Sequence, residues 1–467
     1  MMAAIYFANA NILTMDDAGT RAKAMVVEGE EILFVGDEAG AARVAGPGAE
    51  RRDLGGRTMI PGFNDNHLHA VILGDHDFAP NLGGLDSEAI VELLRERWKD
   101  EPPGRILMAF NWDYPACPNP RKEVLDAAFP DNPVILSQFS GHAQWLNTVS
   151  LEALGISKGS RDPARGQVLR DGDGEPTGIV RDLGDTVLSK KRFAKIFYDR
   201  EQRESRLDSA LATFRRFGIT SVQDNTWFPQ PLASFARYLR EGRLSARFTA
   251  WSMGRRAWTT PAMRAAFALG RPLGLFPPDW IRPGPVKYFL DGAFSTKTAC
   301  LCEPYSDGEG AAGGGGLCED VEAPKAELEY LARHRLQGAF HIIGDRGIQI
   351  FLDSVEEVAR RHRGLGRLRW RIEHAQLIRA EDIGRIRDLD ILIAAQPSAL
   401  GSPDKDDRLL GHDRALRAYP YRSLLDAGVR LSFGSDIPGE STCDPILSID
   451  MAVNREGGEA IAALEAI

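Results

Sequence analysis

Three short apolar runs open the chain, at residues 4–7, 24–27 and 32–35. The last two are separated by the polar sequence Glu-Gly-Glu-Glu at residues 28–31, which has the composition of a tight turn. This pattern predicts a small β domain over residues 1–58. A unit with so few strands is too short to bury a core alone.

From residue 59 onward, apolar runs alternate with long charged stretches of helical character, as in the β–α units of a parallel sheet. The candidate strands end near Asp65, Asp224, Ser252, Asp291, Ile342, His374, Gln396 and Ser435. Eight parallel strands are the number that a (β/α)8 barrel requires. The sequence therefore predicts an α/β protein with a TIM barrel over residues 59–467.

A long segment separates the first two candidate strands. Residues 72–205 far exceed an ordinary connection between a strand and a helix, so they must carry structure of their own. We expect an inserted subdomain there, with a Gly- and Asp-rich hairpin at residues 166–178. The Gly- and Ala-rich run at 308–316 predicts a flexible loop, which fits either an active-site lid or a plain surface loop.

Composition narrows the environment and the partners of the chain. A net charge of −9 predicts a soluble, mildly acidic surface and argues against nucleic acid as a partner. No apolar stretch reaches the roughly 18 residues of a membrane span, and the first residues do not resemble a signal peptide. We expect a cytoplasmic monomer or homodimer that acts on a small molecule and does not bind a membrane.

The five cysteines do not form the dense framework of a secreted domain. Cys300, Cys302 and Cys318 could be interpreted as a thiolate metal site, but their spacing matches no zinc-ribbon pattern. We expect free thiols at these positions.

His67 and His69 form the first candidate metal motif. Side chains at i and i+2 of an extended segment lie on the same face, so both imidazoles can bind one ion. The pair follows Pro61 and Gly62, which begin a short strand. This placement predicts a position at the C-terminal mouth of the barrel, where TIM-barrel enzymes carry their catalytic groups.

Three more potential ligands end apolar runs: His341, His374 and Asp436. Each has an ordinary alternative, a hydrogen-bonded core histidine for the two imidazoles and a helix N-cap for the aspartate. Taken together, these alternatives would require four of the nine histidines to gather at strand ends by accident. The pattern therefore favours a metal site.

Lys287 lies inside the apolar strand 285–291. An unpaired buried ammonium is costly, so this lysine must be paired, neutral or chemically altered. Reaction of the amine with carbon dioxide would give a carbamate, an anionic ligand able to bridge two metals. The alternative is a structural lysine paired with Asp291 or Asp224.

These residues belong to an ordered series of motifs, at residues 59–69, 286–287, 341–345, 371–376 and 434–438. The series resembles the amidohydrolase superfamily, and more narrowly the branch that includes N-substituted formamide deformylases. Further matches lie at residues 141–147 and 174–178 in the insertion. The resemblance extends from about residue 5 to about residue 455.

The resemblance implies a ligand set. His67 and His69 would hold one metal with Asp436, His341 and His374 would hold a second, and carbamylated Lys287 would bridge them. Members of the superfamily also work with one ion, so one or two divalent ions, most naturally zinc, fit the motifs.

The implied activity is hydrolysis of a non-peptide carbon–nitrogen bond in an amide, an N-formyl amine or a carbamate. Ester, lactone or phosphoester hydrolysis and deamination use the same barrel, and a non-catalytic regulatory protein is a further alternative. Deaminases of the superfamily typically carry a glutamate shortly after the strand-five histidine, whereas residues 342–344 here are Ile-Ile-Gly. That difference argues against deamination.

The remaining candidates surround the metal ligands. Asp436 is the candidate proton carrier, and His142 is expected to donate to a developing oxyanion. Trp112, His142 and Trp145 would line the roof of a substrate pocket, with ordinary packing as the alternative for both tryptophans. Asp345 and Glu373 are expected to orient the metal-bound imidazoles.

Members of the branch continue past the equivalent of Arg455 with strands that complete the N-terminal domain. The resemblance therefore implies a small β-sandwich-like domain whose C-terminal half is missing from this chain, which ends at Ile467. An unpaired sheet edge able to pair with another chain is expected at residues 4–58.

Overall fold

The structure is a computed structural model that describes residues 3–76, 80–162, 166–183, 200–254, 259–306, 322–401, 403–440 and 442–467. The predicted loop at 308–316 lies outside these residues. The chain divides into two compact units, one that extends to Phe63 and includes Ile467, and one from Asn64 to Ala466.

Two small sheets form the first unit. Their strands are β1 (Ile5–Ala8), β2 (Asn11–Leu13), β3 (Arg21–Ala22), β4 (Ala24–Glu28), β5 (Glu31–Gly36), β6 (Glu50–Asp53) and β7 (Thr58–Met59), in the orders β5-β4-β1-β6 and β3-β2-β7. Alternate residues of β1 and β4 are buried, as the strand period of two requires. Helix α1 (Glu38–Ala45) packs on the four-stranded sheet that contains β1 and β4. Its N-cap Asp37 accepts from the backbone N–H of Gly40.

Strand β5 is an edge strand, and Ile32, Leu33 and Val35 on it are exposed. Together, the two sheets described above are the predicted N-terminal β domain.

An eight-stranded parallel sheet dominates the second unit and confirms the predicted barrel. Its strands are β8 (Phe63–Leu68), β14 (Ile219–Trp227), β15 (Arg247–Met253), β16 (Ile281–Phe289), β17 (Gly338–Ile342), β18 (Arg371–His374), β19 (Leu392–Ala395) and β20 (Leu431–Phe433), each beside the next in this order. Two backbone hydrogen bonds link the first strand to the segment after the last. Asp436 N–H donates to His67 O (2.6 Å), and His69 N–H donates to Ile437 O (3.0 Å). They bring both ends of the sheet together at the C-terminal mouth.

Helices cover the outside of the barrel and bury its main core. Those of the second unit are α2 (Ala70–His76), α3 (Ser87–Arg97), α4 (Lys122–Ala128), α5 (Thr148–Leu154), α6 (Arg200–Phe217), α7 (Gln230–Arg240), α8 (Thr259–Gly270), α9 (Glu322–His334), α10 (Asp345–Arg361), α11 (Ala380–Asp388), α12 (Pro403–Leu410), α13 (His412–Arg417), α14 (Tyr421–Asp426), α15 (Pro445–Val453) and α16 (Ala463–Ala466). Helix α10 shows the principle, because Ile348, Phe351, Leu352 and Val355 recur at helical spacing and are all buried. Each such side chain contributes roughly 1.5–3 kcal/mol of burial free energy.

The insertion after β8 folds around its own sheet. Its strands are β9 (Leu107–Trp112), β10 (Val134–Gln138), β11 (Ala143–Leu146), β12 (Gln167–Arg170) and β13 (Pro176–Arg181), in the order β12-β13-β11-β10-β9. Strands β12 and β13 form the antiparallel hairpin expected from the Gly- and Asp-rich sequence.

In the described ranges, every helix is too short or too polar to cross a bilayer.

One expectation about the cysteines is wrong. Cys300 is disulfide-bonded, whereas Cys117, Cys302 and Cys443 are free. Sequence spacing did not reveal this because disulfide formation depends on which thiols the fold brings together. Cys318 lies outside the described residues.

Candidate metal centre

The C-terminal ends of the barrel strands bring the predicted ligands to one place. His67 lies one residue before the end of β8, Lys287 lies in β16, His341 in β17 and His374 at the end of β18, while Asp436 follows β20. His67, Lys287, His341 and His374 are all buried. The mouth of the barrel therefore contains a cluster of buried polar side chains.

Three of the predicted ligands, His69 among them, form a compact set. The ligand atoms of His67, His69 and Asp436 lie within 4.8 Å of one another. Asp436 Oδ1 is 3.3 Å from His67 Nε2 and 3.2 Å from His69 Nε2. Two imidazole nitrogens and one carboxylate oxygen are the donor types of a catalytic zinc site.

The protonation of these groups fits a cation. Burial, together with the Lys287 ammonium, lowers the pKa of His67 well below its ordinary value, so the ring is neutral at pH 7. Burial alone would raise the pKa of Asp436, but the hydrogen bond with His69 Nε2 opposes burial, and the resulting pKa lies far below its usual range. Neutral imidazole and ionised carboxylate are the forms that bind metal.

The chemistry of the donor set fits a divalent metal, because His67 Nε2, His69 Nε2 and Asp436 Oδ1 face one another at ligand-sharing distances.

Glu373 fixes the orientation of His67. Its Oε2 accepts from His67 Nδ1 at 2.6 Å, so the other ring nitrogen, Nε2, faces Asp436. Arg371 in turn donates to both carboxylate oxygens of Glu373, at 2.5 and 2.9 Å. This is the geometry that the orienting role predicted for Glu373 requires.

Asn225, at the end of β14, was not among the candidate residues. Its Nδ2 donates to His67 Nε2 at 2.8 Å, and Lys287 Nζ lies 3.3 Å from the same nitrogen. Both groups therefore face the lone pair that a metal ligand would offer. The sequence feature that could have identified Asn225 is its place beside Asp224, at the end of a predicted barrel strand.

The alternative pairing of Lys287 does not match the contacts. Asp224 accepts from Ala70 N–H and the Thr226 hydroxyl, while Asp291 accepts from three backbone N–H groups, those of Cys300, Ile343 and Gly344. Burial lowers the pKa of Lys287 to about 8, because a dry interior disfavours its charged form.

His341 and His374 lie beside the cluster. Their ring centroids are 4.3 Å apart, and His374 Nδ1 is 4.0 Å from Asp436 Oδ2. His341 Nε2 donates to the Gly292 carbonyl at 3.1 Å, which leaves Nδ1 as the nitrogen available for a ligand. Burial lowers the pKa of His374 to about 4, so it too is neutral at pH 7.

The backbone at these strand ends is tightly constrained. His374 (φ 73°) and Asp436 (φ 52°) adopt left-handed conformations that side chains other than glycine rarely adopt. A Cβ on Gly434 would lie 2.6 Å from His67 N, so only glycine allows the last strand to approach the first. Such local strain is typical of functional sites.

The insertion contributes His142. Its ring centroid lies 4.6 Å from that of His341, and its Nδ1 is 2.7 Å from Asp182 Oδ1. An ionised carboxylate can only accept, so Nδ1 carries the proton and the neutral ring presents Nε2 as an acceptor. The predicted donation from His142 to an oxyanion therefore does not fit the neutral form of this ring.

Three other candidates lie away from the ligands. Trp112 and Trp145 are fully buried in the core of the insertion, where their rings contact each other and Trp112 Nε1 donates to Leu136 O. These contacts support the packing alternative for both tryptophans. Asp345 accepts from the backbone N–H of Cys302 and of Arg346 and does not contact an imidazole in the described structure, so its expected orienting role lacks support.

Comparisons with known proteins agree with this fold. Residues 50–462 match the model of the amidohydrolase family. The chain is 28% identical over 468 residues to the N-substituted formamide deformylase of Arthrobacter pascens, with 96% of this chain and 83% of that protein covered. It is 23% identical to the exoenzymes regulatory protein AepA of Pectobacterium carotovorum, with 91% of each chain covered.

Among solved structures, an uncharacterized metal-dependent hydrolase from Pyrococcus furiosus aligns with 28% identity and a TM-score of 0.72. The alignment covers 99% of this chain and 92% of that one.

Proposed function

Since the chain belongs to the amidohydrolase family, we propose that it hydrolyses a non-peptide carbon–nitrogen bond in a small amide, N-formyl amine or carbamate. The observation that carries the proposal is the convergence of His67, His69 and Asp436 at the C-terminal mouth of the barrel. Two imidazoles and a carboxylate in this position support a divalent ion, for which zinc is our proposal.

A divalent ion held by these residues would supply an acidified water and would polarise a substrate carbonyl. Asp436 is our candidate for the proton transfers. Its carboxylate is ionised and adjoins both imidazoles, so it is suited to accept a proton from water and pass it to the departing nitrogen. Glu373 keeps His67 in the tautomer that presents Nε2.

We further propose that Lys287 is carbamylated and that His341 and His374 hold a second ion with it. The support is the burial of Lys287, the occupation of Asp224 and Asp291 by other donors, and the distance of 3.3 Å between Nζ and His67 Nε2. The modification adds one carbon dioxide to the chain. Carbon-13 NMR after incubation with labelled bicarbonate should show a carbamate signal that the Lys287→Gln variant lacks, and equal spectra would contradict the proposal.

The test of the proposed activity combines metal analysis with a substrate screen. Purified protein should contain divalent metal, and zinc- or manganese-loaded protein should hydrolyse N-acyl or N-formyl amines. His69→Gln should lose both properties. The matched control is His412→Gln, because His412 is exposed and pairs with the surface carboxylate of Asp407. Failure of the wild-type protein to bind any divalent metal would refute the proposal.

A protein that binds metal but turns over no substrate would instead favour the regulatory alternative, which the name of the AepA relative raises. The same screen should therefore include esters, lactones and phosphoesters. Turnover of one of these without turnover of any amide would redirect the proposal to a different leaving group.

A further inference from the structure

Two residues of the insertion meet beside the metal centre although they lie 40 positions apart in the sequence. The His142 Nδ1 is 2.7 Å from Asp182 Oδ1, and the backbone N–H of Asp182 donates to the carbonyl of His142 at 2.7 Å. Asp182 therefore holds His142 twice, once through the backbone and once through its side-chain carboxylate. Asp182 reaches this position with a left-handed backbone (φ 53°).

The carboxylate of Asp182 lies over a glycine of the barrel rim. A Cβ on Gly292 would be 2.9 Å from Asp182 Oδ1. The carbonyl of Gly292 accepts from His341 Nε2 at 3.1 Å. The pair formed by His142 and Asp182 therefore adjoins the strand ends that carry the predicted ligands.

The hydrogen bond to Asp182 decides which ring nitrogen is an acceptor. Because the carboxylate takes the proton on Nδ1, the neutral imidazole retains a lone pair on Nε2. No residue in the described part of the chain makes a hydrogen bond with that Nε2. The ring itself is largely buried, with 12% of its side chain exposed, and it adjoins His341 (4.6 Å between ring centroids) and Phe289 (6.3 Å).

We propose that Asp182 is a positioning residue that holds His142 so that Nε2 accepts a hydrogen bond from the N–H of the substrate. This inference rests on the proposed function and names its substrate class: secondary amides and N-formyl amines that keep an N–H. Tertiary amides lack that hydrogen. They would leave Nε2 without this hydrogen bond, and such a loss reduces kcat/KM by roughly tenfold or more.

The experiment uses matched pairs of substrates on the metal-loaded full chain. Each secondary N-formyl amine is compared with its N-methyl derivative, and the ratio of the two kcat/KM values is measured in the wild type, His142→Ala and Asp182→Asn. The two substrates of a pair differ in intrinsic reactivity and size by the same amount whichever variant is assayed. A change in the ratio between variants therefore reports the hydrogen bond. Asp173→Asn is the control, since Asp173 is an exposed carboxylate in a turn of the same insertion.

We expect the ratio to fall about tenfold in both variants, through the secondary substrate alone, and to stay unchanged in the control. A purely structural defect would lower kcat/KM for both substrates equally. An unchanged ratio in both variants would overturn the inference, and metal content with thermal unfolding identifies a variant that has not folded.

Binding provides a readout that does not depend on turnover. Calorimetry should show that the wild type binds the secondary amide more tightly than its N-methyl derivative and that both variants lose this preference. Preferential binding without turnover would retain the inference and refute the proposed function. Turnover with equal ratios in all variants would support the proposed function and refute the inference. A protein that shows no binding preference and no turnover would refute both.

Discussion

Glu373 offers the sharpest perturbation of the candidate metal centre. The carboxylate is fully buried and accepts from His67 Nδ1 on one side and from the Arg371 guanidinium on the other. In the Glu373→Gln variant the shape is kept but the charge is lost. The single amide oxygen of glutamine can then accept only some of the hydrogen bonds that the two carboxylate oxygens accept from His67 and Arg371.

Two separate losses follow from this geometry. Groups that orient a metal-bound imidazole typically contribute tenfold to a hundredfold to metal affinity, so zinc should bind weaker by about 1.4–2.7 kcal/mol. Arg371 would also remain buried without its counter-ion, and breaking a buried pair costs about 3–5 kcal/mol. Because Arg371 also donates to Asn66 O and Gln223 Oε1, we expect the lower end, about 3 kcal/mol, in the free energy of unfolding.

The assays are urea unfolding of the metal-free protein and a zinc titration against a competing chelator. Glu381→Gln is the matched control, since the Glu381 side chain is 66% exposed, and it should change neither quantity. The double variant Arg371→Gln/Glu373→Gln should unfold less readily than the sum of the two single changes predicts, because neither charge is left alone. Wild-type zinc affinity in Glu373→Gln would refute the assigned orientation of His67.

Three further predictions follow. Asp436→Asn should retain metal on the two imidazoles but lose turnover; an unchanged kcat would exclude Asp436 as the proton carrier. His374 is neutral when folded, with a pKa of about 4 against 6.5 when unfolded, so its contribution to stability is present above pH 6.5 and is lost as the pH falls to 4. In metal-free protein, the difference in unfolding free energy between wild type and the non-titrating His374→Gln should therefore fall by about 3 kcal/mol from pH 7 to pH 4, and a constant difference would contradict the assignment. Gly292→Ala should destabilise the chain, because its Cβ would meet Thr298 Oγ1 at 1.9 Å; Gly159→Ala, with open space around it, is the control, and equal urea midpoints would show that the rim is not rigid.

The barrel could be predicted because its signal is local. Each strand is a short apolar run, and its polar end residue stands next to that run in the sequence, as at His341 and His374. Parallel strands then bring these ends to one face of the sheet whatever the details of packing. The histidines and the aspartate that gather at the mouth of the barrel could therefore be named from the sequence.

Contacts around the site were harder to predict, because they depend on directions that the sequence pattern does not encode. Trp112 and Trp145 lie on strands of the insertion, and their side chains point into its core, whereas His142, just before β11, faces the barrel. Asn225 and Asp182 contact histidines 158 and 40 positions away in the sequence. Neither contact produces a periodic pattern, so only the folded chain reveals them.

Locating the metal shows directly whether His67, His69 and Asp436 form a metal site. Crystals of the zinc-loaded protein, measured at the zinc absorption edge, should show an anomalous peak about 2.0–2.2 Å from His67 Nε2, His69 Nε2 and a carboxylate oxygen of Asp436. A second peak beside Lys287, His341 and His374 would add the second ion. An ordered structure without a peak at His67, His69 and Asp436, or with zinc bound only elsewhere, would contradict the account.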